Sequence, residues 1–296
     1  MVIFSPVVRY SALRIVLALS AHYGLFKRHL DCPKAFTQAD LDTPCYMKPP
    51  PGMKLPCGKC LRLHKSVYGL KQASRLFNRL LVSFFFGELG FTTCPNDTCF
   101  MYLVRDDQMV LVAIYVDDIH MCSSTEEIGN KITAKLEAKF KCVSVGDLMV
   151  SRDAHSDVRV PPHYHSPPVA WMSKLQPIIA TSSMQAEYIA CYYLVQDIVW
   201  LRNVLHELGL LDPSPTTVYI DNTSAQTLAL NPVFHARSKH IDVKFNWLRD
   251  KVADGTITLE YVKSEDQTAD ILTKPLTGEA FHRRRTRLLA SPRRDC

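Results

Sequence analysis

The chain has 296 residues, 47% of them hydrophobic and 22% charged, which excludes a disordered or fibrous polymer and leaves one large or two medium globular domains. The 35 Lys and Arg residues against 29 Asp and Glu give a formal charge of +6, a mild excess that suits a polyanionic partner wherever the basic residues cluster. Ten cysteines fall into no even framework and no signal peptide is recognisable, so the expected setting is reducing and intracellular.

In chain order, residues 11–22 read as a buried helix, because the apolar run Ile15–Leu19 is too short to span a bilayer and is flanked by Arg14 and His22. Leu30-Asp31 precedes Phe36 by a few positions. The stretch from Tyr46 to Met53, with three consecutive prolines, must be extended. Cys57 and Cys60 form a Cys-x-x-Cys that, with Cys94 and Cys99, would make a zinc site; four small buried hydrophobes is the plainer reading. After Gly69 a helix opens with Leu76, Leu80 and Phe84 at helical spacing, its polar face carrying Lys71, Gln72, Arg75 and Arg79. A basic helix start after a glycine can meet phosphate and base, and it can also be an ordinary amphipathic surface.

Phe100–Val104 and Met109–Val116 read as paired antiparallel strands, and Glu126–Phe140 as an amphipathic helix. The second strand leads through Tyr115-Val116 to adjacent carboxylates, Asp117 and Asp118, before an apolar run resumes at Ile119. Two carboxylates at a break in a buried strand are costly without a cation beside them, and Mg²⁺ is the divalent cation that carboxylates, water and phosphates usually hold. A polar hairpin tip in water is the bland alternative. Asp31 would supply a carboxylate from a second segment.

Taken together, Leu-Asp31 with Phe36, Tyr-Met-Lys-Pro-Pro-Pro-Gly, Ser-Val-Tyr-Gly-Leu-Lys-Gln-Ala and Tyr-Val-Asp-Asp resemble, in order, the reverse transcriptase of copia-type LTR retrotransposon Pol polyproteins. The resemblance covers roughly residues 5–148 and implies an α+β, right-hand palm with part of the fingers. It implies that Asp31, Asp117 and Asp118 are catalytic carboxylates around two Mg²⁺ (or Mn²⁺) ions, that Phe36 underlies the sugar and excludes a 2′-hydroxyl, that Gln72 lies against the incoming nucleotide, and that Tyr115 packs near the primer end. The implied partners are an RNA template, a DNA primer, dNTPs and RNA–DNA hybrid, with no membrane.

Residues 149–168 are polar and proline-bearing and read as an irregular junction. Beyond it, Ser182 to Gln185 cap a long helix expected to bury Ala186, Ile189, Ala190, Leu194, Ile198, Leu201, Leu205 and Leu208. Glu187 lies in its first turn, where a helix N-terminus alone would favour a carboxylate. A strand from Thr217 ends at Asp221, helices follow over 225–230 and from Ser238 to about Val252, a strand spans 256–262, and Asp270 comes last. Three carboxylates near element ends again suit a divalent-metal phosphodiester site. Thr-Ser-Ser-Met-Gln-Ala-Glu-Tyr, Tyr-Ile-Asp-Asn-Thr-Ser-Ala, the stretch from Asn231 to Asp242 and Gln-Thr-Ala-Asp-Ile-Leu-Thr-Lys resemble the RNase H domain of the same polyproteins, over roughly residues 169–276. By that resemblance Glu187, Asp221 and Asp270 are metal ligands for cleaving RNA in a hybrid. His240 matches a motif and reads equally as a helix-start histidine. Residues 277–296 read as a basic tail.

The chain departs from the family pattern in three places. The fingers begin part-way through; only 149–168 stand where a thumb and connection are expected; and the first RNase H aspartate has no clean copy, Asp153 and Asp157 being the nearest. These departures imply a truncated, impaired copy, with a non-catalytic nucleic-acid-binding remnant as the alternative.

Overall fold

The computed structural model describes residues 5–94, 97–106, 108–146, 169–173, 176, 180, 182–230 and 239–288, without the side chains of 239–243, 245 and 287. Residues 149–168 with Asp153 and Asp157, the 231–238 motif and the His240 side chain therefore lie outside the described residues. The chain divides into two compact units, Met1–Arg152 and Asp153–Cys296.

The first unit is built on a six-stranded sheet. Its strands are β1 (Phe26–Asp31), β4 (Thr92–Cys94), β5 (Asp97–Arg105), β6 (Gln108–Tyr115), β7 (Asp118–Ser123) and β8 (Val143–Gly146), in the order β4-β5-β6-β7-β1-β8 with antiparallel neighbours. Helix α1 (Tyr10–His22) buries Ala12, Ile15, Val16 and Leu19, the expected short apolar run, and packs on β5, β6 and β7. Helix α4 (Glu126–Phe140) begins where expected because Thr125 caps it, its hydroxyl accepting from the Ile128 amide. Helix α3 (Ala73–Gly87) lies beside α4, with Phe84 and Phe77 edge-on to Phe140 at 5.1 and 6.2 Å.

Strand alternation sorts β1 into two faces. Arg28 and Leu30 point toward α4: Arg28 donates to Thr133 on that helix, and Leu30 is fully buried. His29 and Asp31 leave the opposite face. A smaller hairpin, β2 (Asp40–Met47) with β3 (Leu61–Lys65), adjoins the short helix α2 (Ala35–Gln38) and α3.

Cys32, next to Asp31, is disulfide-bonded to Cys142, just before β8, closing a sequence separation of 110 residues. Sequence spacing gives no sign of this pair, because only the β1–β8 pairing brings the two together.

The second unit contains α5 (Ser183–Glu207), β9 (Thr216–Ile220), α6 (Thr223–Leu230), α7 (Lys239–Ala253), β10 (Ile257–Tyr261), a 3-10 turn at Thr268–Leu272 and α8 (Gly278–Leu288). β9 and β10 are parallel, as a crossover through α6 and α7 requires. Tyr188, Cys191, Val195, Val218, Ile220, Leu248, Ile257 and Leu259 form the core.

The buried face of α5 overlaps the expected one in part, with Ala186, Ile198, Leu201 and Leu205 half-buried and Ile198 packed against the core. Ile189 and Leu208 are buried, but Ala190 and Leu194 are exposed, while Tyr188, Cys191, Val195 and Val204 face inward. Both flanks of this helix are apolar, so periodicity alone placed the centre of the buried stripe off its true line. Residues 278–288 are helical rather than a loose tail, and Arg284 is buried. Among the described residues no helix is long and apolar enough to cross a membrane.

Candidate functional site

The β6–β7 hairpin closes on two residues. Tyr115 and Asp118 are ladder partners, leaving Val116 and Asp117 as the tip. Val116 has φ of 59° and Asp117 does not share that sign, the pattern of a type II′ turn, whose first central position normally takes glycine. A β-branched residue there is strained by about 1–3 kcal/mol, a cost that folded proteins tolerate chiefly at functional sites. The Cys32 amide donates to the Asp117 carbonyl at 3.0 Å, tying the tip to the end of β1.

The same ladder pairs Asp31 with Asp118 and His29 with His120. Directly paired residues leave an antiparallel sheet on one face, so both carboxylates and both imidazoles share the face opposite α4. His29 Nε2 lies 2.8 Å from Asp118 Oδ1. The His29 and His120 rings stack at 4.7 Å with 26° between planes. Burial, reinforced by His29, pushes the His120 imidazole below its ordinary value, with Asp118 pulling the other way.

Phe36, on α2, packs at 4.6 Å against Tyr68, whose ring is otherwise exposed. Gln72 stands at the start of α3 and donates from Nε2 to Cys45 Sγ at 3.3 Å. Tyr115 is 42% exposed at the hairpin. Of the basic residues on and just before α3, Arg75 is engaged by Asp42 at 2.6 Å, which holds the Asp42 carboxyl below its ordinary value; Lys71 and Arg79 are exposed. The expected phosphate-facing set is thus smaller by one cation.

In the second unit, Asp221 and Asp270 come within electrostatic reach of Glu187, and all three within reach of Lys274. Burial first, then the charges of Asp221 and Asp270, hold the Glu187 carboxyl above its ordinary value, with Lys274 opposing them. Lys274 binds Asp270 at 2.8 Å, and Arg284 approaches Asp270 at 3.6 Å. Arg284 also donates to the Gln267 and Ser264 carbonyls, and Ser264 donates to Asp221 at 3.0 Å. The roles of Lys274 and Arg284 beside Asp270 were not legible in the sequence, although Lys274 ends the Gln-Thr-Ala-Asp-Ile-Leu-Thr-Lys motif.

The zinc alternative fails: Cys94 and Cys99 are buried while Cys57 and Cys60 are exposed, and Asn78 donates to the Cys99 thiol. Among the described residues no three His, Cys, Asp or Glu side chains form a metal cage. The facing pair Asp31 and Asp118, beside Asp117, nonetheless fits Mg²⁺, which takes one or two carboxylates and completes its shell with water and substrate phosphates.

Residues 1–151 match the family described as reverse transcriptase (RNA-dependent DNA polymerase). The chain belongs to this family. Reverse transcriptases generally use divalent metals and act on a nucleic-acid template and primer, and in this chain the β1–β7 ladder sets Asp31 against Asp118. The chain is 25% identical to the retrovirus-related Pol polyproteins from transposons RE2 and RE1 of Arabidopsis thaliana, over 94% of its own length and 28% of theirs. It is 23% identical to the corresponding polyprotein from transposon TNT 1-94 of Nicotiana tabacum, over 94% of its length and 32% of that protein's. The chain therefore spans about a third or less of these copia-type retrotransposon relatives. The alignments with the Arabidopsis proteins run over 416 positions, more than the chain's 296 residues, so those relatives carry extra residues within the matched span.

Proposed function

We propose that this chain is the RNA-directed DNA polymerase and RNase H portion of a copia-type Pol polyprotein, with weakened hold on its substrate. The observation that carries the reading is the β1–β7 ladder, which sets Asp31 against Asp118 beside a strained acidic tip. Asp31, Asp117 and Asp118 would hold Mg²⁺ or Mn²⁺. The metal, when bound, would lower the pKa of the primer 3′-hydroxyl and neutralise charge on the departing pyrophosphate. Phe36, braced by Tyr68, would exclude a ribose 2′-hydroxyl; Gln72 would contact the incoming nucleotide; Tyr115 would pack near the primer end.

Glu187, Asp221 and Asp270 would form the RNase H-like centre for the RNA–DNA hybrid. Its support is the closeness of Asp221 and Asp270 to Glu187, felt in that carboxyl, and the parallel β9–β10 pair that ends beside Asp221. Asp153 and Asp157 are the candidates for a further carboxylate.

The stretch 149–168 is too short for an independently folded thumb, since units below about 40 residues rarely fold alone. Synthesis should accordingly be distributive. With Mg²⁺ or Mn²⁺, the full chain should extend oligo(dT) on poly(rA) by a few nucleotides per encounter. The Asp117→Asn variant should not, and cleavage of the hybrid should vanish in Asp221→Asn. Absence of both activities from the parent would refute the reading.

A non-catalytic nucleic-acid-binding remnant is the second reading, favoured by the short junction and by the exposed Lys71 and Arg79. It requires hybrid binding that weakens steeply with salt while both activities stay at background.

A further inference from the structure

We propose that His29 is a positioning residue of the polymerase centre, fixing the direction of the Asp118 carboxylate with the His120 ring as its backing. The proposal rests on the polymerase reading for its consequence and on the sheet geometry for its substance.

The ladder places His29 two residues from Asp31 and opposite His120, which makes it the diagonal neighbour of Asp118 on the acidic face. A carboxylate has no hydrogen to give, so in the 2.8 Å contact His29 Nε2 donates and Asp118 Oδ1 accepts. His120 stacks on the His29 ring at 4.7 Å and limits its rotation. The His120 Nδ1 atom is itself buried without a hydrogen-bond partner, a cost that the stacked arrangement carries.

Asp31 and Asp117 have no such side-chain partner among the described residues, so Asp118 is the carboxylate of the three whose direction is set in advance. One of its oxygens is occupied by the imidazole and the other remains for a ligand. Hydrogen-bond partners of ligating carboxylates typically change metal affinity or activity by about 10–100-fold when removed. An ordinary exposed pair would change almost nothing.

The test uses the full chain and two independent readouts. In ¹H–¹⁵N NMR the parent should show a hydrogen-bonded His29 Nε2–H resonance that moves in Asp118→Asn; its absence from the parent overturns the proposal. In single-nucleotide incorporation, His29→Leu should lower kcat by about tenfold or more, with KM for the dNTP within about threefold. His29→Gln keeps an N–H donor and should recover kcat to within about threefold of the parent. Parental kcat in His29→Leu, or no recovery in His29→Gln, would overturn the proposal.

If His29→Leu does not melt cooperatively, His29→Gln and His120→Ala carry the test. Removing the ring that backs His29 should lower kcat by about threefold or more, and parental kcat in a folded His120→Ala would overturn the proposal. A parent that incorporates no nucleotide defeats the polymerase reading, and the NMR signature then decides the His29–Asp118 bond alone.

Discussion

Asp31 and Asp118 are direct partners across the β1–β7 ladder, so two carboxylates leave one sheet face side by side. Like charges placed directly opposite each other are destabilising by a few tenths to about 1 kcal/mol. Asp31→Asn should therefore raise Tm slightly in EDTA, and it should abolish the stabilisation that added Mg²⁺ gives the parent. Differential scanning calorimetry with and without Mg²⁺ checks both halves; a parent whose Tm ignores Mg²⁺ up to millimolar levels would count against metal binding.

Gly129 shows where packing outweighs propensity. Alanine in a helix interior is ordinarily worth about 1 kcal/mol over glycine. Here a Cβ would sit 2.8 Å from Ser123 Oγ and 3.3 Å from Arg28 Nε. Ser123 is fully buried and donates to the Thr125 carbonyl at 2.9 Å, so it cannot yield without disturbing the helix cap. Gly129→Ala should destabilise the first unit by about 1 kcal/mol net, since overpacking costs typically exceed the helical gain. Urea denaturation reads it, and a stabilised variant would contradict the contact.

Glu187 is held above its ordinary value by burial and by Asp221 and Asp270, so its ionised form is disfavoured in the folded chain. Glu187→Gln should stabilise the second unit at neutral pH, on the order of 0.5 kcal/mol after allowance for solvent screening. Below about pH 4.5, the ordinary value, the wild-type carboxyl is protonated in the folded and unfolded chain alike, so the gain should vanish there, grow from that pH up to the raised folded value and level off above it. A pH series of Tm differences checks the sign. The same variant should lose hybrid cleavage, a trade of activity for stability.

Cysteine reactivity should divide sharply. Burial pushes Cys99 and Cys122 up to about 11 and Cys191 up to about 12, which leaves little thiolate at pH 8. Cys57 and Cys60 are exposed. Iodoacetamide mapping by mass spectrometry should modify Cys57 and Cys60 first, and Cys32 and Cys142 only after reduction. Early labelling of Cys122 would contradict the core packing.

What could be read in advance follows the range of the interactions involved. The α4 boundaries were legible because Thr125 and the apolar spacing act locally. The β5–β6 pair and the acidic hairpin were legible because turn and strands adjoin in sequence. The inward face of α5 was legible only in part, since choosing between its two apolar flanks requires knowing what packs on each. His29 carried no local signal; its role depends on register with a strand 89 residues away. Arg284 lies in the basic stretch 277–296 with nothing local to single it out, and only docking of α8 against the turn bearing Asp270 turns it inward.

The most direct test is primer extension on poly(rA)/oligo(dT) by the full chain, run beside Asp117→Asn, Asp118→Asn and, as a surface control, Asp106→Asn. Divalent-dependent incorporation of dTTP by the parent and by the control, with none in either hairpin variant, is the expected result. Equal incorporation by the parent and Asp117→Asn, or none above background from the parent, would contradict a polymerase centre on this sheet face.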